Sequence, residues 1–388
     1  MNSIFYGYER SNGKYGIRNH VALIPAVGCA NEVARAISNQ VNGTAPLLHH
    51  QGCCQLAPDL EIVSRTLIGF GKNPNVSSTL IVSLGCESTS ANMIADKIVQ
   101  TGKHVEVINI QDLGGFNASV EKGIKLAKKM VEEDSSLKKK RADIDELTVG
   151  LKCGASDATS GLVSNPVVGL CTDFLVGNSA TVITAETTEI MGAEHIFASH
   201  AISDDVAKKI CAIVESVELK AKSVGVDMRG SQPTPGNIAG GITTIEEKSL
   251  GAICKAGTSP IKSVLEYGES PNENGLHLMD TPGSEMHVLP ALAAAGAQLI
   301  LFTTGRGAPQ GFPIVPVIKI CGNSTTCSKM SEHIDLDVSG VLSGKENFEA
   351  TFEKLMKLIF LVASKKLTKS EISGYTETME IYTHGLTI

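Results

Sequence analysis

Residues 20–40 read HVALIPAVGCANEVARAISNQ, a short run of apolar and β-branched residues that leads directly into a segment with helical periodicity. The same succession returns in STLIVSL with a helix over 90–101, and HVEVINI follows as a third strand. Strands that alternate with helices are typical of βαβ units, whose sheets are parallel. The N-terminal part of the chain is therefore predicted to be an α/β domain.

The pattern repeats after a charge-dense stretch, EEDSSLKKKRADIDE. Further strands are predicted in LTVGLKC, ATVITAE, GLHLMDT, AQLILFTTG and PVIKICG, with helices between them that include 204–223 and 348–364. A chain of 388 residues exceeds what one hydrophobic core usually supports. We predict an N-terminal α/β domain over 1–131, a charged linker over 132–146 and a C-terminal α/β domain over 147–388. Mainly parallel sheets would then place the active site between the domains, at the carboxyl ends of the strands.

Composition narrows the classes of function. Hydrophobic residues make up 42% of the chain and charged residues 19%, a composition too apolar for a disordered protein. No apolar run in the sequence is long enough for a membrane span. A formal charge of -7 and an aromatic content of 4% disfavour nucleic-acid binding. The N-terminus has no secretory leader, so a cytoplasmic location is expected, with the ten cysteines present as thiols.

Thiols follow the predicted strands at several points. ALIPAVGCANE, LIVSLGCESTS and LTVGLKCGASD each place a cysteine just after a strand, and LLHHQGCCQ adds two histidines and two adjacent cysteines. Because ligands bind outside the carboxyl ends of parallel strands, these side chains are expected to converge. Thiolate and imidazole suit Fe(II), although a cysteine at a strand end is often simply a small buried residue. At most one cysteine of the adjacent pair is expected to bind a metal, and a disulfide between them is not expected in the cytosol.

Three further loops carry groups for acid–base chemistry and anion binding. The segment 185–200, AETTEIMGAEHIFASH, combines carboxylates and imidazole, although it also fits a solvated acidic helix start. The segment 232–259, QPTPGNIAGGITTIEEKSLGAICKAGTS, is suited to holding a carboxylate at a helix N-terminus, or serves as a structural crossover. FTTGRG places an arginine between glycines at a strand end, where its guanidinium can bind an anion through two hydrogen bonds.

Ordered motifs along most of the chain resemble the altronate/galactarate dehydratase family. They are GYERSNGKYGIRNHV, HHQGCC, RTLIGFGKNPNV, SLGCE, LKCGASDATSG, ETTEIMGAEH, PGNIAGGITTIEEKSLG, MDTPG and FTTGRG. The resemblance implies a metal-dependent lyase that removes the proton α to a carboxylate and expels a group from the next carbon. The resemblance does not decide which group leaves, because sulfolactate sulfo-lyase large subunits resemble this family as well. The expected reaction is dehydration of a sugar acid to a 2-keto-3-deoxy acid, and the alternative is loss of sulfite from (2R)-sulfolactate to give pyruvate.

The resemblance also implies a cofactor and a partner. Fe(II) is expected, with Mn(II) or a labile iron–sulfur cluster as alternatives. Single-chain family members carry a small SAF-type domain before the first motif, which begins here at Gly7, so a separate SAF-type subunit and an oligomer are expected. The candidate metal ligands are His49, Cys53, Cys86 and Cys153. The candidate catalytic residues are His49, Glu189, Glu194, His195 and Lys248, and the candidate substrate-binding residues are Arg18, Asn237, Thr243, Thr244 and Arg306.

Two other functions compete with a lyase. A nicotinamide-dependent dehydrogenase fits the α/β pattern, but it needs a glycine-rich phosphate loop after the first strand, and VGCANEVA lacks those glycines. A non-enzymatic metal-binding module accounts for the thiols, but it leaves the Glu/His loop and the Thr-Gly-Arg loop without a role. The lyase accounts for all three kinds of loop.

Overall fold

The computed structural model of the protein describes residues 4–376 and 379–385. The strands are β1 Ile4–Glu9, β2 Tyr15–Gly16, β3 His20–Pro25, β4 Thr44–Pro46, β5 Val76–Ser83, β6 His104–Asn109, β7 Lys140–Asp143, β8 Thr148–Gly154, β9 Thr181–Thr184, β10 Ile261–Leu265, β11 Gly275–Met279, β12 Leu299–Thr304, β13 Val317–Cys321 and β14 Leu336–Asp337.

The helices are α1 Asn31–Ser38, α2 Ala57–Lys72, α3 Ala91–Val99, α4 Phe116–Ser135, α5 Asn165–Gly177, α6 Glu194–Ala198, α7 Asp204–Ser223, α8 Met228–Ser231, α9 Pro235–Ala239, α10 Ile245–Ile253, α11 Glu285–Ala294, α12 Ser324–Lys329, α13 Phe348–Ser364 and α14 Lys369–Ser373. None of these helices, within the described part of the chain, is both long enough and apolar enough to cross a membrane.

Two parallel sheets organise the chain, which confirms the predicted α/β class. The first has the order β4-β3-β5-β6, and the second has the order β10-β11-β9-β8-β12-β13-β14. Their central strands are buried on both faces, as in β5 and β12, because helices cover both sides of each sheet. We call the parts built on these sheets lobe 1 and lobe 2. A small antiparallel sheet, β2-β1-β7, was not predicted.

The segment predicted as a charged linker, 132–146, is largely regular structure. The first residues of this segment belong to helix α4, which ends at Ser135. Strand β7 then pairs antiparallel with β1 over Lys140–Asp143. Ala142 and Ile144 are buried between charged neighbours, so the charge density concealed a strand with one apolar face. Phe5 and Ile17 pack into the lobe 2 core, so the first residues of the chain contact the second lobe.

The two lobes share one continuous core along α2 and α11. A Cβ at Gly69 of α2 would lie 2.3 Å from the carbonyl oxygen of Ala294 in α11, so only glycine permits this approach. Residues 379–385, the C-terminal strap, return from lobe 2 to lobe 1. The Asp59 carboxylate accepts the N–H groups of His384 at 2.7 Å and Gly385 at 2.9 Å, which fastens the strap to the first turn of α2.

Candidate active site

A cavity of about 320 Å³ opens at the carboxyl end of β8 in lobe 2. Beyond β8 the chain turns at Ala155, whose φ of 47° lies in the left-handed region, and then enters α5 through a short π-helix. The opposite wall is α10, which begins at Thr244 as its N-cap. The polar residues that line this cavity include Cys153, Ser156, Asp157, Ser160, Asn165, Glu247 and Lys248.

A buried carboxylate, Glu186, organises the strand ends behind the cavity. It is fully buried and lies 2.5 Å from the Lys152 ammonium and 3.7 Å from the Lys255 ammonium. It also accepts the backbone N–H of Cys153 at 2.8 Å. Burial alone would lower the pKa of Lys152, but the carboxylates of Glu186 and Glu285 outweigh it and raise that pKa. The neighbouring carboxylates therefore favour the ammonium form of Lys152.

A second ion pair lies directly at the cavity. The Lys248 ammonium, which lines the cavity, lies 2.9 Å from Oε1 of Glu189. The other carboxylate oxygen, Oε2 of Glu189, is buried and has no hydrogen-bond partner among the described residues. A buried polar atom without a partner is costly and marks a position that a ligand or water can satisfy. Through Lys248 this ion pair reaches the cavity, whereas Lys152 and Glu186 are not among the residues that line it.

Amide and hydroxyl groups fix the Cys153 thiol in the cavity wall. Its sulfur lies 3.1 Å from Oγ of Ser156 and accepts from Nδ2 of Asn165 at 3.7 Å. Asn165 is held in turn by Thr303, whose hydroxyl donates to Oδ1 at 2.6 Å, and by the Gly251 carbonyl. Because residues from β8, α5, β12 and α10 converge here, the thiol has a defined position.

Helix α11 lies between this network and lobe 1. Its first residue, Glu285, approaches Lys152 at 3.8 Å, and two positions later His287 pairs with Glu380 of the C-terminal strap at 3.2 Å. Gln51 of lobe 1 donates to the Ile381 carbonyl of the same strap at 3.1 Å. The lobe 2 cavity and the lobe 1 thiol loops are thus linked through one helix start and one strap.

The imidazole of His49 is held by backbone groups on both sides. Nε2 lies 2.7 Å from the Pro25 carbonyl and donates to it, and Nδ1 accepts the N–H of Gln51 at 3.2 Å. Burial lowers the pKa of His49 to about 4. A neutral ring with both nitrogens engaged positions the loop, and in this geometry it offers no lone pair to a metal.

We expect His49→Ala to lower the free energy of unfolding at pH 7 by about 1–3 kcal/mol, because two buried backbone groups lose their partners. The folded-state pKa lies below the ordinary value of 6.5, so the unfolded chain binds more protons and stability falls as the pH drops from about 6.5 to 4. The variant should lose part of that dependence, measured by urea unfolding across this range. A matched change at half-exposed His104 should shift stability by less than about 0.5 kcal/mol. Equal effects at both positions would contradict a positioning role for His49.

The thiols of lobe 1 lie on loops that hydrogen-bond to one another. Gly28 donates to the Gln51 carbonyl at 2.9 Å, and Ser88 donates to the Gly52 carbonyl at 2.9 Å, which joins the three loops that carry Cys29, Cys53 and Cys86. All three thiols are exposed, whereas Cys153 is buried in lobe 2. Across 4–376 and 379–385, no three His, Cys, Asp or Glu side chains are grouped closely enough to hold a metal ion. The described residues, as arranged, do not fit a metal site.

Several candidate substrate-binding residues have structural partners instead. Arg18 pairs with Glu371 at 2.6 Å and donates to backbone carbonyls of α13 and the following turn, outside the cavity. Asn237 donates to the Ser156 carbonyl at 3.0 Å and so supports the cavity wall. Thr243 bonds to the Glu247 carboxylate, and Thr244 caps α10. These threonines fix the helix that carries Lys248.

The remaining candidates are not among the residues that line the cavity. Arg306 is exposed, and its Nη1 donates to the Gly236 carbonyl at 3.0 Å. Glu194 is paired with Arg229 at 2.9 Å, and His195 is exposed on α6. Of the five predicted catalytic residues, the structure therefore brings Glu189 and Lys248 together at the cavity and leaves the other three apart from that pair.

Both lobes match models of known protein families. Residues 7–135 match the model of the D-galactarate dehydratase/altronate hydrolase second domain, and residues 144–386 match the D-galactarate/altronate dehydratase C-terminal model. The chain belongs to the galactarate/altronate dehydratase family. It is 39% identical to (2R)-sulfolactate sulfo-lyase subunit beta of Chromohalobacter salexigens, with 96% of each chain covered. It is 33% identical to altronate dehydratase of Bacillus subtilis, over the whole of this chain and 79% of that protein, and 30% identical to galactarate dehydratase of Escherichia coli, over 97% and 76%.

These relatives are lyases, and the family membership makes this chain a lyase, which confirms the predicted class of enzyme. Glu189 and Lys248 were predicted as site residues from the sequence, whereas Lys152 and Glu186 were not. A signal was present, because the lysine in LTVGLKC interrupts an otherwise apolar strand. A charged side chain in a strand buried on both faces requires a counter-ion, and Glu186 is that counter-ion.

Proposed function

We propose that this chain is the catalytic subunit of a lyase that removes the proton from C2 of a small 2-hydroxy acid and expels the group on C3. The observation that carries this proposal is the Lys248–Glu189 ion pair at the cavity, with one oxygen of Glu189 unpartnered. Departing hydroxide needs a proton, and the partly buried Lys248 ammonium, held by a carboxylate, is suited to deliver it. Dehydration of an altronate- or galactarate-like sugar acid is therefore our first assignment.

In this proposal each group at the cavity has one task. Lys248 carries the proton that moves to the leaving hydroxyl, and the Glu189 carboxylate, held by the Lys248 ammonium through Oε1, accepts the C2 proton at its unpartnered Oε2. Asn165 and Ser156 orient the Cys153 thiol toward the substrate space. Arg306, whose backbone N–H donates to the Ala155 carbonyl in the turn after β8, is suited to the substrate carboxylate, since a guanidinium binds a carboxylate through paired hydrogen bonds. No step is assigned to His49, Glu194 or His195.

Elimination of sulfite is the second candidate, and a specific observation favours it. The sulfo-lyase subunit beta has the higher identity, 39% against 33% and 30% for the dehydratases above. The test offers altronate, galactarate and (2R)-sulfolactate separately to the chain together with its small subunit, and measures 2-keto acid and sulfite. Keto acid from a sugar acid supports dehydration. Pyruvate with sulfite selects the second candidate, and no product from any of the three overturns the proposal.

Fe(II) remains a proposal beside this mechanism, with Mn(II) or a labile iron–sulfur cluster as alternatives. Soft thiols at strand ends support it, although the described residues do not group as three ligands. We expect anaerobically purified protein to contain about one metal ion per chain, and Cys153→Ala to lose it while Cys211→Ala, on α7, keeps it. Elemental analysis gives the answer without an activity assay. Full turnover in excess chelator by metal-free protein would exclude the requirement.

The small SAF-type subunit also remains a proposal, and the name subunit beta of the sulfo-lyase relative supports a multi-chain enzyme. Leu162 and Leu250 line the cavity mouth and are 61% and 43% exposed, which gives a partner an apolar contact beside the substrate. A cytoplasmic location and a larger oligomer are proposed with it.

We expect Leu162→Asp and Leu250→Asp each to weaken binding of the small subunit by about tenfold or more, because a charge would be buried in the contact. Binding is measured by calorimetry with the purified subunit. Leu219→Asp on α7, where the side chain is 58% exposed and lies outside the cavity, is the matched control and should bind normally. Undiminished binding by both mouth variants would place the partner elsewhere.

A further inference from the structure

Two adjacent thiols in lobe 1 have no role in the proposed reaction. We propose that Cys53 and Cys54 form a reversible oxidation site, at which a hydroperoxide converts the two thiols into a disulfide between neighbouring residues. This inference depends neither on the assigned substrate nor on a metal. It also differs from a permanent structural disulfide, which is not expected between these residues in the cytosol.

The geometry brings the two sulfurs together. Their Sγ atoms are 3.5 Å apart, and both residues are exposed to solvent. Neighbouring side chains in an extended strand point to opposite faces. This loop is not extended, because Gly52, just before the pair, has a φ of 109° and Cys54 has a φ of 57°. A disulfide bond is about 2.05 Å long, so the sulfurs need to approach by about 1.5 Å. Adjacent Cα atoms are about 3.8 Å apart across a trans peptide, less than the usual separation of about 4.4–6.8 Å in a disulfide, so closure also requires a twist of the Cys53–Cys54 peptide.

The loop around the thiols is braced from both sides. Gln55 accepts the N–H of Gly52 at 2.9 Å and donates to Gln51 at 2.7 Å, and Gln51 in turn donates to the C-terminal strap. On the other side, the Gly52 carbonyl accepts the N–H of Ser88 at 2.9 Å. These bonds hold the backbone that carries both thiols, so closing the disulfide costs little additional chain entropy.

The same bracing makes the oxidised state easy to reverse. A disulfide between adjacent residues closes a small ring within a loop that cannot relax freely, which strains the bond. Strained and exposed disulfides have more oxidising potentials than structural ones, so cellular dithiols reduce them readily. The pair is therefore suited to a transient response to peroxide, with the reduced dithiol as its resting form.

The chemistry balances in two steps. One thiolate attacks the O–O bond of the hydroperoxide and becomes a sulfenic acid, and the peroxide leaves as water or an alcohol. The second thiol then attacks the sulfenic sulfur, and water departs as the S–S bond forms. Two electrons pass from the thiols to the peroxide, and a dithiol returns them on reduction.

The test uses trypsin and mass spectrometry on the full chain. Cleavage after Arg35 and Arg65 releases peptide 36–65, whose only cysteines are Cys53 and Cys54. After hydrogen peroxide and an alkylating agent, we expect this peptide to be unalkylated and lighter by two hydrogens, and dithiothreitol to restore alkylation of both thiols. In Cys54→Ser the bridge cannot form, so Cys53 should be alkylated or carry added oxygen. Unchanged alkylation in the wild type, or a crosslink to the Cys29 or Cys86 peptide, would overturn the proposal.

Phenylarsine oxide provides a second measurement that does not require ring closure between the sulfurs. The reagent binds two neighbouring thiols and releases water, so one adduct should appear on peptide 36–65. Cys53→Ser and Cys54→Ser should each abolish it, whereas Cys211→Ser, which removes a single exposed thiol on α7, should retain it. Absence of the adduct from the wild-type peptide would show that the two thiols do not act as a pair.

Discussion

Glu186→Gln should lower the free energy of unfolding by about 3–5 kcal/mol, the cost of removing one partner from a buried ion pair. Glu186 is fully buried between Lys152 and Lys255, and the amide that replaces it carries no charge to balance them. Glu285 lies farther from Lys152, at 3.8 Å, and is partly exposed, so it compensates only in part. Chemical denaturation at neutral pH measures the loss.

A surface ion pair of the same length is the control for this prediction. Lys262 lies 2.5 Å from Glu273, the same distance as Lys152 from Glu186, but the Glu273 side chain is largely exposed. Glu273→Gln should change stability by less than about 1 kcal/mol, because water solvates the remaining ammonium. If both variants lost the same small amount, burial would not be the source of the effect and the network would not organise the site.

The sequence predicts the two parallel sheets because their signal is local. A buried parallel strand is an apolar run, and a helix with its own periodicity follows it, as over 20–40. The antiparallel sheet has no such signal. Its central strand, β1, pairs with β7 more than 130 residues later, and β7 is a four-residue segment in which only Ala142 is apolar. Their pairing depends on where the lobe 2 core places them, which no local pattern reports.

The site was predicted in part for the same reason. Lys248 and Glu189 each follow a recognisable loop pattern, but their ion pair joins α10 to the turn after β9 and depends on tertiary structure. His49 lies in a sequence, HHQGCC, that is typical of metal ligands, yet its ring is turned inward to the Pro25 carbonyl. Residue type and spacing indicate which groups can react. Burial and hydrogen-bond partners decide which of them are free to do so.

Lys248→Gln should lower kcat for sugar-acid dehydration by about 10²–10⁴, the usual contribution of a positioned acid or base. The glutamine amide still donates a hydrogen bond to the Glu189 carboxylate, so the protein should fold. The amide is not acidic, however, and cannot transfer a proton to the leaving group. Glu247→Gln is the control. Glu247 precedes Lys248 and also lines the cavity, and the side-chain oxygen of the glutamine still accepts the hydrogen bond from Thr243. A variant that raised KM and left kcat unchanged would assign Lys248 to uniform substrate binding instead.

The same variant separates the two leaving groups. Hydroxide is a poor leaving group and depends on the proton from Lys248, whereas sulfite departs without one. The loss caused by Lys248→Gln should therefore be large for a sugar acid and small for (2R)-sulfolactate, if the enzyme complex accepts both. Equal losses would mean that the ammonium acts before the leaving group departs, by stabilising the charge that develops when the C2 proton is removed. Lys248 would then be an electrostatic catalyst, and the general acid would have to be sought among the other groups of the cavity wall, Cys153 first.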